Sequence, residues 1–283
     1  MTNINKKIEA EYNLRARHPN FEEYFTEWRD LSKTAREKLL CEIDIDYGSG
    51  LSMQLDLFPA QGKNNPLLIF IHGGYWRSLD KSDHSFPALS FVRENISLAS
   101  INYALAPSVK IEQIVEQCSR AVEWLFNNHS RANADASNIH VCGHSAGGHL
   151  AAMMLSTEWA QFGLPERLIK SCSAISGVFD LRPILSTSIN EDLKMDESTA
   201  ILNSPALQTP KYKAPVLVAV GMEESQAFIE QSKNFSAICE QAGHRSNYIE
   251  VAETNHFNVV TSLASNTHFL TKAILNNILC ESL

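Results

Sequence analysis

No stretch of this 283-residue chain approaches the ~20 consecutive apolar residues that a bilayer-spanning helix needs. The opening residues, MTNINKKIEAEYNLRAR, lack the apolar core of a secretory signal, so a cytoplasmic protein with no membrane partner is expected. No basic run exceeds two residues and the formal net charge is −8, which leaves little to hold a phosphate backbone and removes nucleic acid from the expected partners. The six cysteines (Cys41, Cys118, Cys142, Cys172, Cys239 and Cys280) are scattered, with no C-x-x-C pair. Scattered thiols of this kind argue for a reducing compartment over a disulfide frame. There is no internal repeat, low-complexity tract or linker, and an apolar content of 44% against 20% charged suits one globular domain spanning residues 1–283.

What is present is an alternation of short apolar runs and helix-length segments. Residues 1–40 read as a helical extension, polar and free of glycine, broken once at His18-Pro19-Asn20. CEIDIDY and LSMQLDLF then alternate apolar and polar on either side of Gly48-Ser49-Gly50, the pattern of an antiparallel hairpin. From Pro66 onward, PLLIFIH, ISLASINY, NIHVCGHS, LIKSCSAIS and APVLVAVG are continuous apolar runs, as in parallel strands buried on both faces. IEQIVEQCSRAVEWLF sets Ile111, Ile114, Val115, Cys118, Val122 and Leu125 on one helical stripe, and SQAFIEQSKNFSAICEQAG ends in Gly243 as a capped helix does. The alternation predicts a doubly wound, mostly parallel α/β sheet led by an antiparallel hairpin. About forty residues separate the run ending near Ile175 from Val216, too many for a simple crossover. Residues 184–211, polar and with Asp196 placed to cap a short helix, are expected to form a small cap over the active face; the alternative is a surface excursion with no role.

The chemistry centres on Gly143-His144-Ser145-Ala146-Gly147, a G-x-S-x-G motif between a strand and the helix-like AGGHLAAMML. A strand that reverses into a helix within one residue forces the serine into a strained conformation with its hydroxyl thrust out, and glycines at 143 and 147 avoid collisions across the turn. A serine needs a base, and the base needs an acid to hold its tautomer. His256 follows the last strand, SNYIEVAE, whereas His244 precedes it and His268 belongs with the terminal helix. For the acid, Glu224 lies three residues past Gly221; Glu223 and Asp180 stay open. The stretch HGGYW offers bare backbone after a strand, so Gly73 and Gly74, with the N–H of Ala146, are the expected oxyanion donors. Tyr75 and Trp76 are expected to wall the substrate pocket, with a core position as the alternative for Trp76. His140, His144 and His149 cluster by spacing, but His140 falls in a strand and no H-E-x-x-H occurs, so no metal is expected.

HGGYW, INYALAPSVKIEQIVEQCSRAVEWL, GHSAGGHLAA, SGVFDLRPI and VGMEESQAFIEQS, in order from about Tyr47 to His256, resemble the serine-dependent kynurenine formamidases (arylformamidases) of the α/β-hydrolase fold. The opening YNLRARHPNFEEYFTEWRDLSKTARE looks like bacterial members of this group and their esterase-like relatives. The resemblance implies hydrolysis of N-formyl-L-kynurenine to L-kynurenine and formate, without a cofactor, in tryptophan catabolism. It carries over Ser145 as nucleophile, Glu224 as acid and His256 as base, with the HGGYW loop in the oxyanion hole. One departure is that the family commonly has aspartate at the acid position, where this chain has Glu223 and Glu224. Short-chain aryl esters or carbamates therefore stay open as substrates, and a homodimer stays open as the assembly. A hydrolase-fold protein that binds without turnover is the third reading, and the complete set of serine, histidine, acid and glycines argues against it.

Overall fold

Runs of Leu, Ile and Phe with no polar alternation are stable only where a strand is covered on both faces, and Leu67 through Ile71 are wholly buried. The computed structural model describes residues 4–208 and 212–279. Eight strands, β1 (Glu42–Asp46), β2 (Gln54–Phe58), β3 (Asn65–Ile71), β4 (Ser97–Ile101), β5 (Ala134–His144), β6 (Ile169–Ile175), β7 (Val216–Gly221) and β8 (Ser246–Val251), form one sheet. Their spatial order is β1-β2-β4-β3-β5-β6-β7-β8. β2 runs antiparallel to both β1 and β4. Every other neighbouring pair is parallel. This is the α/β-hydrolase fold, with the leading hairpin at one edge. β1, largely exposed, forms that edge, whereas Leu55, Leu57 and Phe58 of β2 are buried.

Helices cover both faces. Ile111–Asn127 buries Ile111, Ile114, Cys118, Val122 and Leu125 as its periodicity predicts, while Val115 is only half-buried. Gln226–Gln241 is closed by Gly243 at φ +87°, the left-handed position where a side chain would add strain. The last helix, Phe269–Leu279, begins one residue after His268, so that histidine lies outside it. Among the described residues no helix is long and apolar enough to cross a membrane.

The N-terminal extension is three helices, α1 (Lys6–Tyr12), α2 (Leu14–Arg17) and α3 (Phe21–Lys38). It breaks at His18–Asn20 and again at Asn13, whose side chain leaves the helix to accept from the N–H of Ala16 at 3.2 Å. α3 is anchored at the far end of the chain. Trp28 Nε1 donates to Thr261 Oγ1 at 3.1 Å, and Tyr24 stacks on Phe257 at 5.7 Å. The segment after β6 contains two short helices, Asn190–Leu193 and Glu197–Leu202, the second capped by Asp196 accepting from Thr199 N at 2.7 Å. Residues 209–211, the end of the expected cap, lie outside the described residues.

A buried ion cluster ties the antiparallel edge to the loop after β3. Lys81 Nζ lies 2.6 Å from Asp44 Oδ1 and 2.7 Å from Asp56 Oδ1. Asp56 is 1% exposed, and that ammonium is its charge partner. Removing one partner of a buried pair leaves an uncompensated charge in low dielectric. Lys81→Met is expected to cost about 3–5 kcal/mol in urea unfolding. A loss under about 1 kcal/mol would mean that the Lys81 ammonium does not hold this edge together.

Candidate active site

The loops that follow β3, β5, β7 and β8 meet at the carboxyl edge of the sheet, where open α/β sheets form their crevices. At the end of β5, Ser145 has φ +58° and ψ −121°, and the helix Ala146–Met153 begins at the next residue. A non-glycine residue held there costs of order 1–3 kcal/mol, which the surroundings must offset. They do so by contact. The N–H of Ser145 donates to Ile175 O at 2.8 Å, and its carbonyl accepts from His149 N at 3.0 Å. A Cβ on Gly147 would lie 1.9 Å from Ile71 O and 2.6 Å from His72 O, and one on Gly143 would lie 2.1 Å from Gly147 O.

His256 follows β8 and is 3% exposed. Its Nδ1 lies 2.6 Å from Glu224 Oε2. The other carboxylate oxygen of Glu224 accepts from the N–H of Gly221 at 2.9 Å and from the hydroxyl of Ser176. With Nδ1 donating to the carboxylate, Nε2 is left as the ring's free acceptor, and His256 and Ser145 line the same pocket. The other two candidate acids are elsewhere. Glu223 is exposed, and Asp180 is paired with Arg182 at 2.7 Å and lowered in pKa against the opposing effect of burial by that partner's hydrogen bonds.

His144 escaped the sequence reading as a site residue. Its Nε2 donates to the carbonyl of His256 at 2.8 Å, and the two rings lie 4.8 Å apart. Burial, then the neighbouring His256, hold its pKa well below the usual histidine range, so it stays neutral. It thereby braces the backbone of the His256 loop. The signal was present in the motif, as the residue before the serine, but its partner lies 112 residues away.

The loop after β3 lies against the serine. A Cβ on Gly73 would fall 3.1 Å from Ser145 Cβ, and Gly74, at φ +106°, lines the pocket. Among the described residues, no protein acceptor takes the N–H of Gly74 or of Ala146. Tyr103 stacks on the His72 ring at 4.3 Å and donates its hydroxyl to His72 O at 2.8 Å, stiffening the start of the loop. Tyr75 lines the pocket and donates its hydroxyl to Tyr12 O at 2.6 Å. Trp76 does not line it, and the expected substrate contact is corrected. Its indole is fully buried beneath the loop, with Nε1 donating to His149 Nδ1 at 3.2 Å. Consecutive left-handed residues, Tyr75 at φ +50° and Trp76 at φ +56°, carry the two rings to different environments. His149 passes the contact on, donating from Nε2 to Asn203 O at 2.7 Å, and burial lowers its pKa to about 4.

The cover over the serine also differs from expectation. Among the described residues of 184–211, Ile189 alone lines the pocket, with Asp192 pairing to Arg77 at 2.7 Å. The N-terminal extension gives the largest share of the wall, including Tyr12, Leu14, Phe25 and Trp28. Of the clustered histidines, His140 bonds Ser171 and Asn138, each at 2.8 Å, and among the described residues no three His, Cys, Asp or Glu side chains come together as metal ligands.

The BD-FAE family matches residues 53–238. The kynurenine formamidase of Danio rerio is 35% identical over 254 residues, 87% of this chain and 85% of its own. That of Salmo salar is 34% identical over 89% of this chain and 87% of its own. Among solved structures, one described as a thioesterase from a Silicibacter species superposes with a TM-score of 0.84 at 33% identity, covering 96% of this chain and 100% of that one. An esterase from Pyrobaculum calidifontis superposes at 0.78 with 18% identity over 92% of each chain, a likeness of fold.

The close approach at Gly147 yields a test of the turn itself. Gly147→Ala should destabilise the protein by at least about 3 kcal/mol or prevent its folding, because the methyl group meets backbone and not a movable side chain. Thermal melting near that of the parent would show that the turn can open.

Proposed function

Since the chain belongs to the BD-FAE family and to the kynurenine formamidase and esterase group of α/β-hydrolases, we propose that it is a serine hydrolase that removes a formyl group from an aryl amine, N-formyl-L-kynurenine first among them. The observation that carries this reading is the pocket. Ser145 and His256 open into a space walled by Phe25, Trp28, Tyr75 and Phe257, which suits a flat aromatic leaving group beside a small acyl group. The names of the zebrafish and salmon relatives support the same substrate class. Buried free thiols, Cys118, Cys142, Cys172 and Cys239, fit a cytoplasmic setting.

In this mechanism Glu224 holds His256 with its proton on Nδ1, so Nε2 accepts the Ser145 proton as Oγ attacks the formyl carbon. The carbonyl electrons move to oxygen, and the N–H groups of Gly73, Gly74 and Ala146 are the donors beside it. Collapse breaks the C–N bond, and the imidazolium gives its proton to the departing amine. Water, deprotonated by the same imidazole, then attacks the formyl ester; formate leaves and Ser145 recovers its proton. His144 and Trp76 act through the two loops they brace. A short-chain aryl ester would follow the same path with a phenol as leaving group, and the thioesterase description of the Silicibacter structure favours keeping that second reading.

Assays of N-formyl-L-kynurenine beside a series of p-nitrophenyl esters test the substrate; preference for long acyl esters with no formamide turnover sinks the formamidase reading. Ser145→Ala should lower kcat by about 10⁴-fold or more in a folded protein, and adding His256→Ala should cost little further, since the two act as one unit. Additive losses would remove His256 from the mechanism. Glu224→Gln should reduce turnover strongly by presenting the wrong partner to Nδ1, whereas Glu223→Gln and Asp180→Asn should stay within about two-fold of the parent.

A further inference from the structure

Among the described residues, the pocket beside Ser145 is lined by two cations and no carboxylate. Arg15, the second residue of α2, and Arg77, three residues past Gly74, both face it. Arg77 gives Nη1 to Asp192 at 2.7 Å and makes no other side-chain hydrogen bond among the described residues. Arg15 has no acidic partner among them. Its Nη2 donates to Ser78 Oγ at 2.9 Å, and its guanidinium lies over Phe21 and Phe25, 5.2 and 5.6 Å from their ring centroids. The residue as a whole is exposed to solvent.

Such an arrangement leaves N–H donors at the pocket that an anion can take. Glu22 acts on this guanidinium only at long range, without forming an ion pair among the described residues. Two rings remove part of its hydration, and the charge of Arg77 opposes its own; both effects lower the Arg15 pKa, burial first, against the smaller opposing effect of Glu22. A carboxylate entering between the two would be met by a planar fork of N–H donors, already fixed in orientation by Ser78 and by the rings.

We propose that Arg15, with Arg77 beside it, is the carboxylate-recognition element of this pocket, selecting acyl aryl substrates whose leaving group bears an anionic side arm over neutral ones of the same shape. This deepens the reading of the Ser145 pocket as a hydrolase site and rests on it. It also assigns a substrate-selecting role to the N-terminal helices, which lie outside the sheet that carries Ser145, Glu224 and His256.

The test compares the parent enzyme with Arg15→Gln on matched pairs. For formamides the pair is N-formyl-L-kynurenine and 2-formamidoacetophenone, which has the same ring and carbonyl but no amino-acid arm. For esters it is 3-(2-acetoxyphenyl)propanoate and 2-ethylphenyl acetate. Arg15→Gln should raise KM for the charged member of each pair about ten-fold or more, the scale of one charge-assisted contact, with kcat within about two-fold and the neutral member unaffected. Arg15→Lys, which keeps the charge but loses the fork, should fall between. An equal loss on charged and neutral members, or no loss on the charged ones, overturns the proposal. If the parent cleaves the esters and no formamide, the formamidase reading falls while the ester pair still decides the role of Arg15.

Discussion

The separation between the Ser145 turn and the end of β3 is set by the absence of a side chain at Gly147, and the rest of the site takes its position from it. Ile71 O and His72 O occupy the place where a Cβ would stand. That contact brings the backbone after β3 against the backbone after β5, so Gly73 meets Ser145 with no intervening atom. Bare N–H groups and the serine hydroxyl thus share one small volume, and both are held by rigid strands. Preorganised donors cost no reorganisation as charge develops, which is why the closeness of two main chains matters more here than any single side chain.

The acid illustrates how a longer side chain fits the same geometry. A glutamate has one more rotatable bond than an aspartate and more entropy to lose. Glu224 folds back over its own loop, where the Gly221 N–H and the Ser176 hydroxyl take one oxygen and leave the other for His256. Three donors compensate the charge at a site 4% exposed. The departure from aspartate is therefore accommodated locally, by Ser176 at the end of the neighbouring strand β6, without moving the imidazole.

Much of the architecture was legible in the chain because burial on both faces leaves unbroken apolar runs, and the five strands β3 to β7 fall where those runs lie, while the alternating hairpin marks β1 and β2. The strand–serine–helix junction was legible because few other structures need glycine on both sides of a serine there. Trp76 was not, since its neighbour Tyr75 shares its composition and only the left-handed backbone of both residues sends one ring outward and the other down. The wall of the pocket was hidden for a different reason. Tyr12, Leu14, Phe25 and Trp28 pack against several surfaces at once, so their spacing follows no single period. Nor could Ser176 be found, because its partner is 48 residues away and its own motif is featureless.

The docking of α3 has a consequence for the order in which the molecule can be completed. Trp28 bonds Thr261 across 233 residues, and Tyr24 accepts from Asn255 across 231. On a ribosome the first helices emerge long before the loop that they cover has been made, and contacts of such separation form late because chain closure must precede them. The sheet can assemble around β3, β4 and β5 while the extension waits. The pocket therefore closes only when the two ends of the chain meet, and a nascent or truncated protein would hold its nucleophile in an open crevice, exposed to water, before any substrate site exists.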